Sequence, residues 1–460
     1  MKIKTLLCFI AGLTLVSCGK HLPSDGMEPK DFAKALAEFI DYNGYADAPA
    51  TDVLTDEVDL YIDYSTCVAE ARNSAFYRTV HPVIVDSNPN YYSIKGKKIT
   101  FETNNRQMVY QLLNTVQEVN FAEIKGAIDS IVHHNRHAVL ITDGEYFMQN
   151  GVRDNLNNPY IADEFRVWLR RGFDIYIYCE PYLENNRFNK YRYYFFFTDD
   201  RVENNIRDRF DRSMPAQNDV KMFHLSGKRP AVVRSAEYPV INVSLSPNTM
   251  LQLNGPRYDL QEYYTQWNKI YKYLLDNAYS EKGEPLENGD YVVRGLFVDN
   301  SNANAFKVSD IEVKTYNIGD DFEQYQIAVI NAEENEEEET VLPKAGSPRD
   351  LKLFMFDRAT FEKTGEIVLL LDKENRYEGL TSNNLLKVDI VANKVEENFT
   401  QNNEINDRFQ WQSIAGSQAG QFNTSLYESI RQVLLDPAMN PTNIDGSKTI
   451  YTIYMSTYGM

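Results

Sequence analysis

Between Val58 and Ser213 short β-rich runs alternate with helical patterns, and this rhythm constrains the fold more than any other feature of the chain. The strand-like runs are Leu60-Tyr61-Ile62, Ala138 to Thr142, Asp174 to Tyr178 and Tyr193 to Thr198. The helical patterns are Ala69 to Phe76, Arg106 to Glu118, Ile124 to His133 and Ala162 to Arg171. Such alternation predicts a doubly wound α/β sheet, here assigned to residues 46–215.

The remainder reads differently. Runs at Tyr291 to Val298, Ile311 to Tyr316, Tyr325 to Ile330, Leu351 to Phe356, Ile367 to Leu371, Leu385 to Val391 and Thr449 to Met455 predict a mostly-β, sandwich-like domain over 290–460. Residues 216–289 read as a bridge, with strand-like Ala231 to Arg234 and Val240 to Leu245 ahead of a long helix from Leu260 to Asn277. On that helix Tyr263, Trp267, Ile270, Tyr271 and Leu274 share a face. The chain of 460 residues has room for two or three cores at about 150 residues each. Pro29 to Tyr42 carry amphipathic helical spacing and are expected to pack on the first domain. Six Glu in the seven residues Glu333 to Glu339 read as a solvated loop.

With 66 acidic against 47 basic side chains and no Lys/Arg run, the chain would repel phosphate backbones, which excludes nucleic acid as a partner. Its first residues differ from the rest. Lys2 and Lys4 precede an apolar run from Leu6 to Val16 that is too short for a permanent membrane span, as in a secretory signal. Leu15-Val16-Ser17-Cys18 resembles the lipobox of bacterial lipoproteins. That resemblance implies a signal peptide over 1–17, cleavage before Cys18, a lipid anchor on its sulfur, and a tether plus amphipathic helix over 18–45. Gly19 stands where lipoproteins retained in the inner membrane usually carry Asp, so the resemblance implies the outer membrane and leaves the face open.

The chemistry concentrates at two strand ends. Asp63 and Ser65 follow Leu60-Tyr61-Ile62, and Asp143 follows Val139-Leu140-Ile141-Thr142, with Gly144 allowing a sharp exit. Carboxylates and a hydroxyl at the carboxyl edge of a sheet suit Mg or Ca. These residues resemble the metal-ion-dependent adhesion site of von Willebrand factor A-type (vWA) domains, over roughly residues 56–213. The resemblance implies that Asp63, Ser65 and Asp143 hold a divalent cation whose shell a partner protein completes with an acidic residue, so that the function is adhesion or protein binding without turnover. Two positions depart from the family pattern. Cys67 replaces the second Ser, and Ala122 stands at the Thr position, with Asn120 as a nearby oxygen donor.

Once Cys8 leaves with the signal and Cys18 is lipidated, Cys67 and Cys179 are the remaining thiols. Cys179 ends the strand expected beside the one ending at Asp143, so a Cys67–Cys179 disulfide and two separate thiols are both open. His133 and His137 have the i, i+4 spacing that can grip zinc, but histidines in a last helical turn suit the helix dipole equally. No Gly-rich phosphate loop, Gly-x-Ser-x-Gly elbow or Cys-x-x-Cys occurs. The reading is therefore a non-enzymatic protein-binding lipoprotein. Its rival is a glycan-binding one that uses aromatics such as Trp267 and Trp411.

Overall fold

The computed structural model describes residues 29–44, 53–117, 121–145, 156–184, 188–214, 219–228, 230, 232–234, 261–264, 269–274, 291–334, 342–346, 350–372, 374, 383–412, 422–441 and 449–458. The first half contains α1 (Pro29–Asn43), β1 (Thr55–Asp63), α2 (Thr66–Ala69), α3 (Ala75–Asp86), β2 (Asn90–Lys95), β3 (Lys98–Thr103) and α4 (Arg106–Asn114). It continues with α5 (Lys125–His133), β4 (Arg136–Thr142), α6 (Ala162–Arg170), β5 (Asp174–Glu184), β6 (Phe188–Thr198), α7 (Ile206–Ser213) and β7 (Lys221–Ser226).

These strands form one mixed seven-stranded sheet in the order β3-β2-β1-β4-β6-β5-β7. Parallel pairing joins β1 to β2 and to β4, while β6 runs antiparallel to both β4 and β5. Side chains alternate across the pleat. Leu60 and Ile62 meet Val80 of α3, Val109 of α4 and Phe210 of α7, while Tyr61 joins Ile128 of α5 and Phe165 of α6 on the opposite face. Helices on both faces make the doubly wound α/β layering that the alternation predicts. Two details differ. β6 separates β5 from β4, and β7 extends the sheet past the boundary expected at residue 215.

The second half comprises β8 (Val232–Arg234), β9 (Gln261–Tyr264), β10 (Lys269–Leu274), β11 (Tyr291–Val298), β12 (Phe306–Asn317), α8 (Gly319–Glu334), β13 (Asp350–Leu351), β14 (Phe354–Phe356) and α9 (Arg358–Thr364). Then follow β15 (Glu366–Leu371), β16 (Asn383–Glu397), α10 (Asn403–Asn406), β17 (Trp411–Gln412), β18 (Phe422–Asn423), α11 (Ser425–Leu434) and β19 (Thr449–Tyr458). A six-stranded sheet, β13-β12-β16-β19-β10-β9, and a four-stranded sheet, β14-β15-β11-β8, are separate from the first and mainly antiparallel.

Several expectations are corrected here. The helix expected over Leu260 to Asn277 is instead the antiparallel pair β9 and β10, and β10 also pairs with β19. Its Tyr-rich, β-favouring residues follow their strand partner rather than their helical spacing. Tyr325 to Ile330, expected as a strand, lies in α8, whose Phe322 and Tyr325 line one helical face behind the first-turn acids Asp320 and Asp321. Among the described residues α1 packs on the second half, where the first was expected. Its Phe39 ring lies 5.3 Å from Phe322 and 5.4 Å from Tyr325, and Tyr42 donates to the Leu342 carbonyl at 2.6 Å. Val240 to Leu245 and most of the Glu333 to Glu339 run lie outside the described residues.

The halves share their largest core, while a second cluster stays within the first half and a third joins α1 to the second. A single apolar cluster joins Phe165 and Phe195 of the seven-stranded sheet layer to Leu296 and Leu369 of the four-stranded sheet and Val388 and Ile390 of the six-stranded sheet. Tyr193 stacks on Phe409 at 5.7 Å and donates to the Arg408 carbonyl at 2.7 Å. No helix among the described residues is long and apolar enough to cross a membrane.

Candidate functional site

Because β1 and β4 are parallel neighbours in register (Ile62 opposite Ile141), their carboxyl ends meet at one edge. Asp63 ends β1, Thr142 ends β4, and Asp143 follows. Thr142 Oγ1 donates to Asp63 Oδ2 at 2.7 Å, and the Ser65 amide donates to Asp63 Oδ1 at 2.9 Å. The Glu145 amide donates to Asp143 Oδ1 at 3.0 Å. Gly144 makes the turn possible, with φ +70° and a missing Cβ that would stand 3.0 Å from Leu426 Cδ2 and 3.1 Å from the Tyr193 ring. Tyr160 fixes the same turn by donating to the Gly144 carbonyl at 2.7 Å.

The edge is covered rather than open: Asp63 is 2% exposed and Asp143 7%. The strand that faces it supplies the positive charge. Lys190 on β6, 3% exposed, places Nζ 2.7 Å from Glu145 Oε1 and 3.8 Å from Asp143 Oδ2, and it pairs also with Glu184. Two residues along, Arg192 donates from Nε to the Cys67 carbonyl at 2.6 Å and from Nη1 to Glu180 Oε2 at 2.6 Å. Tyr194 donates to the same Glu180 oxygen at 2.7 Å.

Burial dominates the titration of these groups. It pushes the Asp63 carboxyl up to about 6 against the hydrogen bonds from Thr142 and Ser65. Burial, then the charge of Glu145, raises Asp143 well above the ordinary carboxylate range despite Lys190. For Lys190 burial favours the neutral amine, but Asp143, Glu145 and Glu184 outweigh it and keep the ammonium protonated beyond its usual range. Burial, then the charges of Asp63 and Asp143, raises the Cys67 thiol, so it stays neutral.

Asp63, Cys67 and Asp143 bring ligand-capable atoms within 4.8 Å of one another, a group that can hold a metal ion. A second such group is Asp174, Asp200 and His224. There too a lysine is already seated. Lys228 Nζ lies 2.5 Å from Asp174 Oδ2, with Ser226 Oγ at 2.7 Å and His224 Nε2 at 3.0 Å from Asp174 Oδ1.

The residues expected from sequence divide as follows. Asp63, Ser65 and Asp143 do converge, but the Ser65 hydroxyl is turned to Cys67 Sγ at 3.3 Å. Asn120 lies outside the described residues. Ala122 is buried beside Gly96 and offers no side-chain oxygen. The hydroxyl expected from that loop comes instead from Thr142. Cys67 and Cys179 are free thiols, and the disulfide between them is corrected: Cys67 packs with Leu60 and Ile62, whereas Cys179 shares the opposite sheet face with Ile175 and Ile177. His133 and His137 do not grip one ion. His133 is exposed with Nδ1 2.7 Å from the Asp129 carbonyl, while His137 is buried. Trp411 is buried against Tyr193, and Trp267 lies outside the described residues.

Lys190, Glu145 and Glu184 are the members that sequence reasoning misses. The available signal was the pair of charges at Lys190 and Arg192 in an otherwise aromatic run, two apart and therefore on one face of a strand. No protein-family model, curated protein or solved structure matches this chain.

Proposed function

We propose that this chain is a non-enzymatic cell-envelope lipoprotein, held at the outer membrane through a lipidated Cys18, that recognises a protein partner with the loop edge of a vWA-like α/β domain. The observation that carries this reading is the union of Asp63, Thr142 and Asp143 at the carboxyl edge of two parallel strands, where α/β sheets bind their ligands. Ser65 and Thr66, half-buried beside Asp63, are the part of that edge within a partner's reach. The second half, sandwich-like in this reading, braces the edge from below through Leu426 against Gly144 and Phe409 against Tyr193. In a cation-assisted form, Asp63 and Asp143 would hold Mg or Ca while a partner carboxylate completed the shell. A glycan platform in the second half draws less support, because Trp411 is buried.

The test is a photo-crosslinking amino acid introduced at Thr66 in living cells, compared with one at the exposed Phe101 of β3. A discrete protein adduct from Thr66, weakened by Asp63→Asn, is expected. Adducts from Phe101 alone, or none from either position, would overturn the loop-edge assignment. Loss of radiolabelled palmitate in Cys18→Ala tests the anchor separately.

A further inference from the structure

We propose that the Lys190 ammonium is the resident cation of this edge, so that the carboxylate cluster is complete without a divalent ion. Only the functional consequence rests on the recognition reading above; the charge assignment stands on the geometry alone.

An ammonium has three N–H donors and no acceptor. Lys190 donates to Glu145 at 2.7 Å, pairs directly with Glu184, and has Asp143 at 3.8 Å, within ion-pair but not hydrogen-bond distance. Its position is set by strand register, because Lys190 lies opposite Tyr182 in the β5–β6 hairpin and Glu184 lies at the end of that same hairpin. A divalent ion on Asp143 would sit at roughly 2.0–2.6 Å from its oxygens, and so within repulsive reach of a buried ammonium that has no route to solvent without losing all three partners. The oxygen atoms a hard ion would need already have protein hydrogen-bond partners. Asp63 accepts from Ser65 and Thr142, Thr142 Oγ1 also accepts from the Gly144 amide at 3.0 Å, and the Ser65 hydroxyl faces sulfur. Cys67, a poor ligand for Mg or Ca, is tolerated because no hard ion has to be bound.

The second carboxylate group gives independent support. Asp174, buried at the start of β5, is likewise met by a lysine, Lys228, at 2.5 Å. In both places among the described residues where acidic side chains could gather an ion, the chain brings its own ammonium from a neighbouring strand or the loop after it.

The experiment uses the full chain in detergent and Mn as the probe. Calorimetry and Mn electron paramagnetic resonance on the parent should give no saturable binding, whereas Lys190→Met should gain one site that Lys190→Met with Asp143→Asn loses. Should Lys190→Met fail to fold, chemical labelling of the parent decides. Lys190 should stay unmodified by acetic anhydride while exposed Lys97 reacts, with and without Mn. Saturable Mn binding by the parent, Mn-induced labelling of Lys190, or a folded Lys190→Met that binds no Mn would each overturn the assignment. If Mn leaves the parent unchanged while crosslinking at Thr66 fails, the recognition reading falls and the assignment of Lys190 stands.

Discussion

Asp63 has hydrogen-bond partners for both carboxylate oxygens and, among the described residues, no cation paired with it, so burial sets its titration. A carboxyl raised to about 6 from its ordinary value near 4 contributes stability that is complete below the unfolded value and lost as pH rises through about 6. Urea midpoints for the parent should therefore carry a component that falls between about pH 4 and pH 6, and Asp63→Asn should remove it. An unchanged profile in the variant would place the charge elsewhere. At Gly144 the prediction is steric: Gly144→Ala adds a left-handed backbone cost of about 1 kcal/mol to a contact 3.0 Å from Leu426. Its loss in urea unfolding should shrink when Leu426→Ala is added. Asp63 and Asp143 were legible in sequence because a strand end declares itself locally. Thr142 as the hydroxyl donor and Lys190 as the counter-charge were not, since each acts across strand pairings that periodicity does not report.

Among the elements, the β5–β6–β7 ribbon and the loop after it bring Lys190 and Lys228 to buried carboxylates. Burial alone would raise the Asp174 carboxyl, but Lys228 and His224 hold it well below the usual carboxylate range. Its contribution to stability is thus present above the unfolded value near 4 and lost only as pH falls through the lower folded value. Lys228→Met should move acid unfolding, followed by far-UV circular dichroism, to higher pH. Near neutrality it should cost about 1–2 kcal/mol, less than a fully buried pair because Lys228 is 40% exposed. No shift in the acid midpoint would mean that His224 and Ser226 suffice. The strands and helices of the first half were legible because a sheet covered on both faces imposes apolar runs between amphipathic helices. β9, β10 and α8 differ from that reading because the Tyr-rich window of β9 and β10 and the short apolar window Tyr325 to Ile330 of α8 each satisfy either period, and long-range partners such as β19 and α1 decide between them.

At the scale of the molecule, the largest apolar cluster spans both halves, beside one confined to the first half and one around α1 in the second. Leu426, Phe409 and Trp411 of the second half seat on Tyr193 and Gly144 of the first, so the two should melt as one unit. Calorimetric unfolding should show a single transition, and Trp411→Ala should lower it as a whole, at a cost of about 3–5 kcal/mol. Two transitions, with only one moved, would contradict a shared core. Composition and alternation foretold an α/β half and a β-rich half, but which faces meet depends on tertiary packing that no local pattern encodes. The same packing buries the strand-end carboxylates and leaves their charge to be met from within. That claim is tested most directly by anomalous diffraction from crystals of the full chain grown in Mn. An internally supplied cation predicts no anomalous peak between Asp63 and Asp143 and a Lys190 Nζ within hydrogen-bonding distance of Glu145. A peak at that position, with Lys190 displaced, would contradict it.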